Sequence, residues 1–247
     1  MHAFDYATDP VYATDYLRFL ARLTTDEASD AQTEALVRLL DLPPGSALLD
    51  IPCGHGRIAR RLAARGYAVT GVESNRLFLD VARAAGGGVT YLEADMRTFA
   101  PASAFDGVVC WFSSLGYHDD ATEQSILGAW HRALRPGGVL VIEHQNLQRL
   151  HRILAQAGGR AERTFTAPGG RMRESAAWDP AGHQMLSEWE VEDTVGIRRY
   201  AFGTRGFEPE ELSEWLLQAG FPSVTCSDLD GTPFSAESRR MVLVARA

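Results

Sequence analysis

The sequence predicts an α/β fold built on a doubly wound, mainly parallel sheet that carries a small antiparallel insertion. Three observations predict it: apolar strands that alternate with helical patterns, a glycine-rich turn after the first strand, and a change from long helical patterns to short segments from about residue 158 to residue 206. With 247 residues, the chain is long enough for one large α/β unit with its own core. We therefore expect a single domain over residues 1–247.

Short apolar strands and helical patterns alternate along most of the chain, which is typical of βαβ units joined by right-handed crossovers. Two helices precede the first strand, and Ser29 or Asp30 is the expected N-cap of the second. The strand patterns are "ALLDI", "AVTGV", "VTYLEA", "FDGVVCWF" and "GVLVIEH", and "PSVTCSDL" and "RRMVLVARA" follow near the end.

The stretch from residue 158 to residue 206 differs from the rest because short segments replace long helices. The breakers "APGG", "DPAG" and "VG" separate these segments. Such spacing predicts an inserted layer of antiparallel hairpins.

Charge and cysteine content exclude several classes of protein. The chain has 24 basic and 32 acidic residues, a net charge of −8, and no basic run, which argues against a nucleic-acid binder. The start "MHAFDYATDP" lacks a signal-peptide pattern and no apolar run reaches membrane-spanning length, so we expect a cytoplasmic protein without membrane contact. Cys53, Cys110 and Cys226 are too scattered for a disulfide framework or a zinc site, and we expect no metal.

The turn after the first strand has the loose dinucleotide pattern GxGxx(G/A) at Gly54, Gly56 and Ala59. Asp50, however, ends that strand where a pyrophosphate would approach, and the glycines lie a few residues beyond it. Because a carboxylate there repels an anion and attracts a cation, the pattern disfavours a nicotinamide oxidoreductase.

Acidic and aromatic residues follow the next strands. Glu73 ends the second strand, where a carboxylate can accept hydrogen bonds from both hydroxyls of a ribose. Asp95 follows the third strand and can meet an adenine amino group while Met96 packs on the ring, although Asp95 can equally cap a helix. The fourth strand ends in the aromatic and hydroxyl-rich segment "CWFSSLGYHDD". Together these features predict a pocket for a cationic adenine nucleoside.

With these motifs in this order, the sequence resembles the class I S-adenosylmethionine-dependent methyltransferases. "LLDIPCGHG" is similar to their glycine motif, "GVE" to the ribose acid, "LEADM" to the adenine motif and "LRPGGVLVIE" to the turn into the fifth strand. The resemblance implies a Rossmann-like, seven-stranded mixed sheet and S-adenosyl-L-methionine as cofactor, with S-adenosyl-L-homocysteine as product. Pro52, where the family often has a small or apolar residue, is a mild departure.

We expect the cofactor to lie along the ends of the first four strands and the turns that follow them. Asp50 is expected near the methionine amino group, with Gly54 and Gly56 under the cofactor. The full set of predicted cofactor contacts is Asp50, Pro52, Cys53, Gly54, Gly56, Arg57, Glu73, Ser74, Asn75, Ala94, Asp95, Met96, Cys110, Trp111 and Phe112.

The resemblance also implies candidate catalytic residues. Tyr117 follows the fourth strand, where family members set a tyrosine or histidine against the transferring methyl group, and an ordinary loop aromatic is the alternative. His118 and His144 are candidate general bases, the latter beside Glu143 and Asn146 at the end of the fifth strand. The alternative for His118 is a surface turn residue, and the alternative for His144 is a structural histidine.

Residues 1–40 are expected to fold over the cofactor as a helical lid, as in similar enzymes. Tyr6, Tyr12 and Tyr16 crowd this segment, and Tyr12 and Tyr16 are candidate acceptor contacts together with Tyr117. Their i, i+4 spacing fits the core face of a helix equally well. Trp178, in the insertion at 158–206 that should roof the acceptor pocket, is a further candidate contact, with hairpin packing as its alternative.

The segment "WFSSLGYHDD" and the interrupting hairpins resemble bacterial small-molecule N-methyltransferases of amino sugars and other natural-product intermediates, including those of antibiotic biosynthesis. We therefore expect methyl transfer to an amine nitrogen of such a small molecule. O-methylation with His144 or His118 as base is one alternative, and a non-catalytic partner or sensor that binds the cofactor is another. The identity of the acceptor and the oligomeric state stay open.

Overall fold

Two sheets organise the chain, one mixed with seven strands and one antiparallel with four. The computed structural model describes residues 5, 7–101 and 104–247, apart from the side chain of Arg22, so the predicted aromatic residue Tyr6 lies outside the described residues. Within these ranges, none of the helices has the length and continuous apolar character that a bilayer crossing requires.

The helices and strands alternate through most of the chain, as the sequence pattern predicts. A 3₁₀ helix at Ala21–Leu23 joins the first two α-helices. The α-helices are α1 (Pro10–Phe19), α2 (Asp26–Leu40), α3 (Arg57–Ala64), α4 (Arg76–Ala84), α5 (Asp120–Ala133), α6 (Leu147–Gln156) and α7 (Pro209–Gln218). The strands are β1 (Ala47–Asp50), β2 (Ala68–Glu73), β3 (Thr90–Glu93), β4 (Phe105–Cys110), β5 (Leu134–Gln145), β6 (Arg160–Ala167), β7 (Gly170–Asp179), β8 (Gln184–Asp193), β9 (Gly196–Arg205), β10 (Ser223–Ser227) and β11 (Arg240–Arg246).

The large sheet has the strand order β10-β11-β5-β4-β1-β2-β3. Strands β1 to β5 are parallel, whereas β11 runs antiparallel to both β5 and β10. This arrangement, together with the separate antiparallel sheet β6–β9, confirms the predicted fold class. Because the chain leaves β1 towards β2 and returns to β4 on its other side, a crevice opens beyond the carboxyl ends of β1 and β4.

The centre of the large sheet is buried on both faces. Neighbouring residues of β1 point to opposite faces, as the two-residue period of a strand requires. Leu49 packs among the residues that α5 and α7 cover, and Leu48 packs on the other face with Leu36 of α2 and Ile58 of α3. Burial on both faces explains why these strands read as continuous apolar runs in the sequence.

The small sheet packs its inner face against α1. Tyr12 of α1 stacks on Trp189 with ring centroids 5.1 Å apart, and it meets Tyr200 edge-on at 5.7 Å. Met172 and Val191 complete this apolar contact. The N-terminal helix and the inserted sheet are therefore joined by a core of their own.

A buried ion-pair network at this contact, the Asp15 network, ties α1 to the hairpin of β8 and β9. The Asp15 carboxylate accepts hydrogen bonds from the Arg198 guanidinium at 2.8 and 2.9 Å and from the Tyr200 hydroxyl at 2.7 Å. Asp193 pairs with Arg198 and with Arg18 of α1. Because Asp15 is almost fully buried, these donors are what make its charge tolerable there.

The predicted N-cap of α2 is wrong. The helix begins three residues earlier than Ser29, and the Thr25 hydroxyl caps it by accepting the Ala28 amide at 3.2 Å. Ser29 lies inside the helix, where its hydroxyl donates to the Thr25 carbonyl. Two acidic residues, Asp26 and Glu27, fill the first turn and complement the helix dipole.

We predict that Asp15→Ala lowers the free energy of unfolding by about 3 kcal/mol, because it leaves the Arg198 charge and the Tyr200 hydroxyl with a missing partner. Urea denaturation followed by circular dichroism measures this change. Arg199→Gln is the matched control, since Arg199 forms its ion pair with Glu190 on the exposed face of the same sheet. A loss no larger than that of the control would contradict the structural role of Asp15.

Candidate active site

A cavity of about 810 Å³ lies beyond the carboxyl ends of β1, β2 and β4. The turn into α3 and the loop after β4 form its floor, and α1, α6 and the inner face of the small sheet close it from above. Its position is the crevice that the strand order opens, which is where open α/β sheets bind ligands.

The glycine-rich turn lets the backbone pass close to this cavity. Gly56 has a φ of +73° and stands at the N-cap of α3, where a Cβ would collide with the hydroxyl of Tyr91. Gly54 has a φ of +53° and donates its amide to Glu73 at 2.9 Å. Both positions therefore need glycine for their backbone conformation, and Gly56 also needs it for close packing.

Asp50 presents a buried carboxylate without a full set of partners. It lines the cavity but is 2% exposed, and its Oδ2 atom has no hydrogen-bond partner. Burial raises the pKa of Asp50 to about 7, against the lowering effects of the Arg57 charge and the Ala59 amide. Since an unsatisfied buried carboxylate oxygen is costly, this position suits a ligand that brings positive charge and N–H donors.

Arg57 supplies a cation on the same wall. Its guanidinium donates to the Ser29 hydroxyl at 3.1 Å and to the Gln32 side-chain carbonyl at 2.8 Å, and it lies over the Phe112 ring at 5.3 Å. Burial lowers the pKa of Arg57, while the neighbouring Asp50 opposes that effect. Asp50 and Arg57 together can bind a group that carries both charges.

Glu73 ends β2 and holds the turn in place. Its carboxylate accepts the Gly54 amide and the Asn75 amide, each at 2.9 Å, and burial raises its pKa although these amides lower it. The two amides leave further lone pairs on the carboxylate oxygens, so it can still accept hydroxyl donors from a ligand.

Asp95 follows β3 and reaches the cavity together with Met96. The Arg97 side chain pairs with its carboxylate, and the Arg97 amide donates to it at 2.8 Å. These contacts lower the pKa of Asp95. The Asp95 carboxylate is thus a fixed, ionised acceptor, with the Met96 side chain beside it for an aromatic ring.

The loop after β4 is held in an unusual backbone conformation. Phe112 and Ser113 have φ values of +68° and +56°, in the left-handed region that is uncommon for such residues. The Phe112 amide donates to the Glu143 carboxylate at 2.6 Å, and Arg240 of β11 pairs with Glu143 and with the Ser113 hydroxyl. The sequence analysis missed Arg240, because this contact joins residues 97 positions apart and leaves no local pattern.

His118 is coupled to a buried acid from the next helix. Its Nδ1 lies 3.1 Å from Oε1 of Glu123, which also accepts the amides of His118 and Gly116, each at 2.9 Å. Glu123 is 0% exposed, and its Oε1 atom is in position to accept a hydrogen bond from Nδ1 of His118. Sequence reasoning did not identify Glu123.

The roof of the cavity is aromatic and formed by α1 and the inner face of the small sheet. Tyr117 lies 6.5 Å from the Phe202 ring in a stacked orientation, and Trp189 meets Phe202 edge-on at 5.2 Å. Tyr16 lies against Phe78 of α4 at 5.4 Å. Burial is the main cause of the raised pKa of Tyr16, and Tyr117 is close enough to contribute to it. The sequence analysis assigned no acceptor contact to Phe202 or Trp189, whose exposure to the cavity depends on tertiary packing.

Most predicted site residues converge on this one cavity, although lining a cavity does not by itself test their roles. Those that line it are Asp50, Pro52, Cys53, Gly54, Arg57, Glu73, Ser74, Ala94, Asp95, Met96, Trp111, Phe112, Tyr12, Tyr16, Tyr117 and His118. Gly56 and Asn75 stand behind the lining, where Asn75 caps α4, and Cys110 is fully buried in the core.

His144 and Trp178 do not reach the main cavity. The His144 Nε2 lies 3.1 Å from the Leu115 carbonyl and its ring packs edge-on against Phe207, while burial lowers its pKa. Trp178 packs against His151 with centroids 4.8 Å apart. Both residues border a separate small void, so this geometry gives no support to His144 as a base or to Trp178 as an acceptor contact.

Comparison with known proteins shows to which family the chain belongs. Residues 48–138 match the family model of a methyltransferase domain. The putative methyltransferase YqeM of Bacillus subtilis is 31% identical over 222 residues, which cover 83% of this chain and 85% of YqeM. The chain belongs to the class I S-adenosylmethionine-dependent methyltransferases.

Other relatives share shorter stretches or the fold. A dTDP-3-amino-3,6-dideoxy-alpha-D-glucopyranose N,N-dimethyltransferase of Streptomyces fradiae is 34% identical over 114 residues, so the match spans only 46% of this methyltransferase and 44% of that enzyme. The CcbJ methyltransferase of Streptomyces caelestis has a TM-score of 0.77 at 23% identity and 99% coverage of both chains. CalS10 of Micromonospora echinaspora, an amino pentose methyltransferase solved with the cofactor, has a TM-score of 0.66 at 24% identity with full coverage of both chains.

Membership of this family confirms the prediction of S-adenosylmethionine as cofactor, and the residues of the cavity fit it. The unpartnered Asp50 oxygen suits the ammonium of its methionine part, and the Arg57 guanidinium suits the carboxylate. Glu73 suits the ribose hydroxyls, and Asp95 with Met96 suits the adenine. The same donor set fits a pyrophosphate poorly, because its carboxylates would repel that anion.

We predict that the methyltransferase binds S-adenosylmethionine more weakly as pH falls below about 7, because Asp50 must be ionised to hold the ammonium. The dissociation constant should rise about tenfold per pH unit below that value. Isothermal titration between pH 5.5 and 7.5 measures it. The pKa of His55, which also lines the cavity, is lowered by burial to about 4, so His55 does not titrate in this window.

Asp50→Asn should bind more weakly and show little pH dependence over the same window. Asp106→Asn is the matched control, since Asp106 caps β1 at the opposite end of the sheet through the Ala47 amide. An unchanged slope in the Asp50→Asn variant would assign the titration to another group, with Glu73 the first to test.

Proposed function

We propose that this methyltransferase transfers a methyl group to an amine nitrogen of a small, sugar-sized natural-product intermediate. The observation that carries the proposal is an aromatic and hydroxyl-rich part of the lining, in which Tyr16 of α1, Tyr117 of the loop after β4 and Phe202 of β9 share one cavity with the cofactor residues. Aromatic faces stabilise a cation, and an amine becomes one on methylation. The names of the Streptomyces fradiae and Micromonospora relatives, an amino-sugar and an amino-pentose methyltransferase, support the same acceptor class.

When bound, S-adenosylmethionine supplies a sulfonium methyl group that is open to in-line attack and leaves a neutral thioether. The protein then has mainly to hold two reactants in line, which can supply much of the acceleration. Burial raises the pKa of Tyr16 to about 12 and also raises that of Tyr117, so both hydroxyls are neutral at physiological pH. Neutral phenols can orient an acceptor by hydrogen bonds without taking its proton.

His118 is the proposed acceptor of the spare proton. An amine attacks only as the neutral base, and the nitrogen must lose a proton before or after methylation. When the Nδ1 proton of His118 is donated in a hydrogen bond to Glu123, Nε2 is the basic nitrogen of this imidazole on the cavity wall. Glu123 would stabilise the imidazolium that forms, as a carboxylate partner of histidine does in other enzymes.

O-methylation is the second candidate, and the pairing of His118 with Glu123 is the observation that favours it. A hydroxyl needs a base more strictly than an amine, and this pair is suited to supply one. A panel of amino sugars and their hydroxyl counterparts, assayed for methyl transfer by mass spectrometry, separates the two. Methylation confined to the hydroxyl compounds would overturn the amine proposal.

We predict that His118→Asn lowers kcat/KM by about 10- to 100-fold at pH 7, because the base is lost. With an amine acceptor this loss should shrink above the pKa of the amine, where the nucleophile is already neutral. With a hydroxyl acceptor it should persist at every pH. Steady-state kinetics from pH 6.5 to 9.5 measure the difference, and His131→Asn, which removes a histidine packed on Phe221 outside the cavity lining, is the control. Equal rates in the wild-type enzyme and the His118→Asn variant would exclude His118 as the base.

A further inference from the structure

Glu174 is a carboxylate of the cavity roof to which neither the sequence analysis nor the proposed mechanism gives a role. It lies on β7 and faces the cavity, with its side chain 12% exposed. The register places it directly opposite Arg163 of β6 on one side and Trp189 of β8 on the other. These three side chains therefore form one cross-strand row on the inner face of the sheet.

The two neighbours hold the carboxylate very differently. The Trp189 ring is buried, and its indole nitrogen donates a hydrogen bond of 3.3 Å to Oε1 of Glu174. This contact fixes the orientation of the carboxylate. The Arg163 guanidinium binds Oε2 at 2.6 and 3.0 Å, but its side chain is 64% exposed. Because its cation stays largely in water, this ion pair is weak and can exchange for another cation from inside the cavity.

The next row of the sheet leaves space beside Glu174. Ala161, Ala176 and Ser187 are small, and they lie opposite one another on neighbouring strands and line the cavity. Phe202 ends this row, and its ring stacks with Tyr117. Glu174 is also close enough to Tyr117 for its charge to raise the pKa of that hydroxyl. A shallow recess with a carboxylate on one side and aromatic rings on the other thus opens next to Tyr117.

The outer face of the same sheet shows what a purely structural pair looks like. Glu190 of β8 pairs with Arg199 and Arg173, and all three side chains point away from the cavity. Its contacts resemble those of Glu174 in chemistry, yet no aromatic wall or recess adjoins them among the described residues. Glu190 is therefore a matched control for Glu174.

We propose that Glu174 binds an ammonium group of the methyl acceptor in this recess, and that Arg163 occupies the carboxylate until the acceptor arrives. The inference rests on the proposed function, because it names how an amine acceptor is recognised. A carboxylate and aromatic faces together select a cation over a neutral group of the same shape. The acceptor class that fits is a primary or secondary amine that is protonated in solution.

The test uses binding rather than turnover. The protein is saturated with S-adenosylhomocysteine and titrated at pH 7 with cyclohexylamine, which is protonated there, and with cyclohexanol, its neutral counterpart. We expect cyclohexylamine to bind about tenfold more tightly or better, because a charge-assisted hydrogen bond to Glu174 forms. Calorimetry measures both affinities, and the affinity for S-adenosylhomocysteine reports that each variant is folded.

Three variants give the proposal distinct outcomes. Glu174→Gln should abolish the preference for the amine, Glu190→Gln should retain it, and Arg163→Gln should strengthen amine binding because a competing cation is gone. The proposal would be overturned by equal affinities for both probes in the wild type, by an unchanged preference in the Glu174→Gln variant, or by weaker amine binding in the Arg163→Gln variant.

Failure of this inference and failure of the proposed function are distinguishable. If amino sugars are methylated but the probe preference is absent, Glu174 is not the ammonium site and the amine function stands. If the preference is present and depends on Glu174 but only hydroxyl compounds are methylated, the ammonium site stands and the reacting atom is a different group of the acceptor.

Discussion

The reversal of strand order between β1 and β4 is the constraint on which the site depends. The crossovers leave the centre of the sheet in opposite directions, so the helices that connect these strands do not cover their carboxyl ends. Side chains at those ends face an open crevice although the strands themselves are fully buried. This is why Asp50 can end a continuous apolar run and still reach a ligand.

The crevice becomes a closed cavity because a second structural unit lies over it. The inserted sheet and α1 bury a common apolar core, and the Asp15 network adds oriented charges at that contact. Helix and sheet are thus bound to each other as well as to the large sheet. The residues that suit the cofactor belong to the large sheet and its turns, whereas the roof residues Tyr12, Trp189 and Phe202 belong to α1 and the small sheet.

The sequence was sufficient for the features that depend on neighbouring residues. The strand pattern predicts the sheet, and the positions of Asp50, Gly54 and Glu73 follow from one βαβ unit. It was insufficient for contacts across distant segments, such as Arg240 on Glu143 or Trp189 on Glu174, because no local period records them.

His144 illustrates a different limit. Consecutive residues of a strand face opposite sides of the sheet. Glu143 points towards the β4 loop, so His144 points to the other side, where it packs against Phe207. Sequence proximity to the strand end could not show which of the two contacts the β4 loop and which packs in the core.

The charged and neutral side chains of the cavity suit the way in which methyl transfer to an amine moves a positive charge. A sulfonium starts with a positive charge and an alkylated nitrogen ends with it, so the cation moves within the site and is never neutralised by the methyl transfer itself. The carboxylates of Asp50 and Glu174 and the neutral aromatic rings line one cavity, and both kinds of group stabilise a cation before and after transfer.

A strong fixed anion beside the reacting atoms would hold either the reactant or the product too tightly and would not favour the transition state between them. Tyr16, Tyr117 and Phe202 also line the cavity, and their neutral rings can stabilise a cation without a fixed negative charge. Arg163 is an exposed and weakly held partner of Glu174, so an acceptor cation can replace it there. A buried arginine in its place would cancel the charge that the proposed acceptor needs.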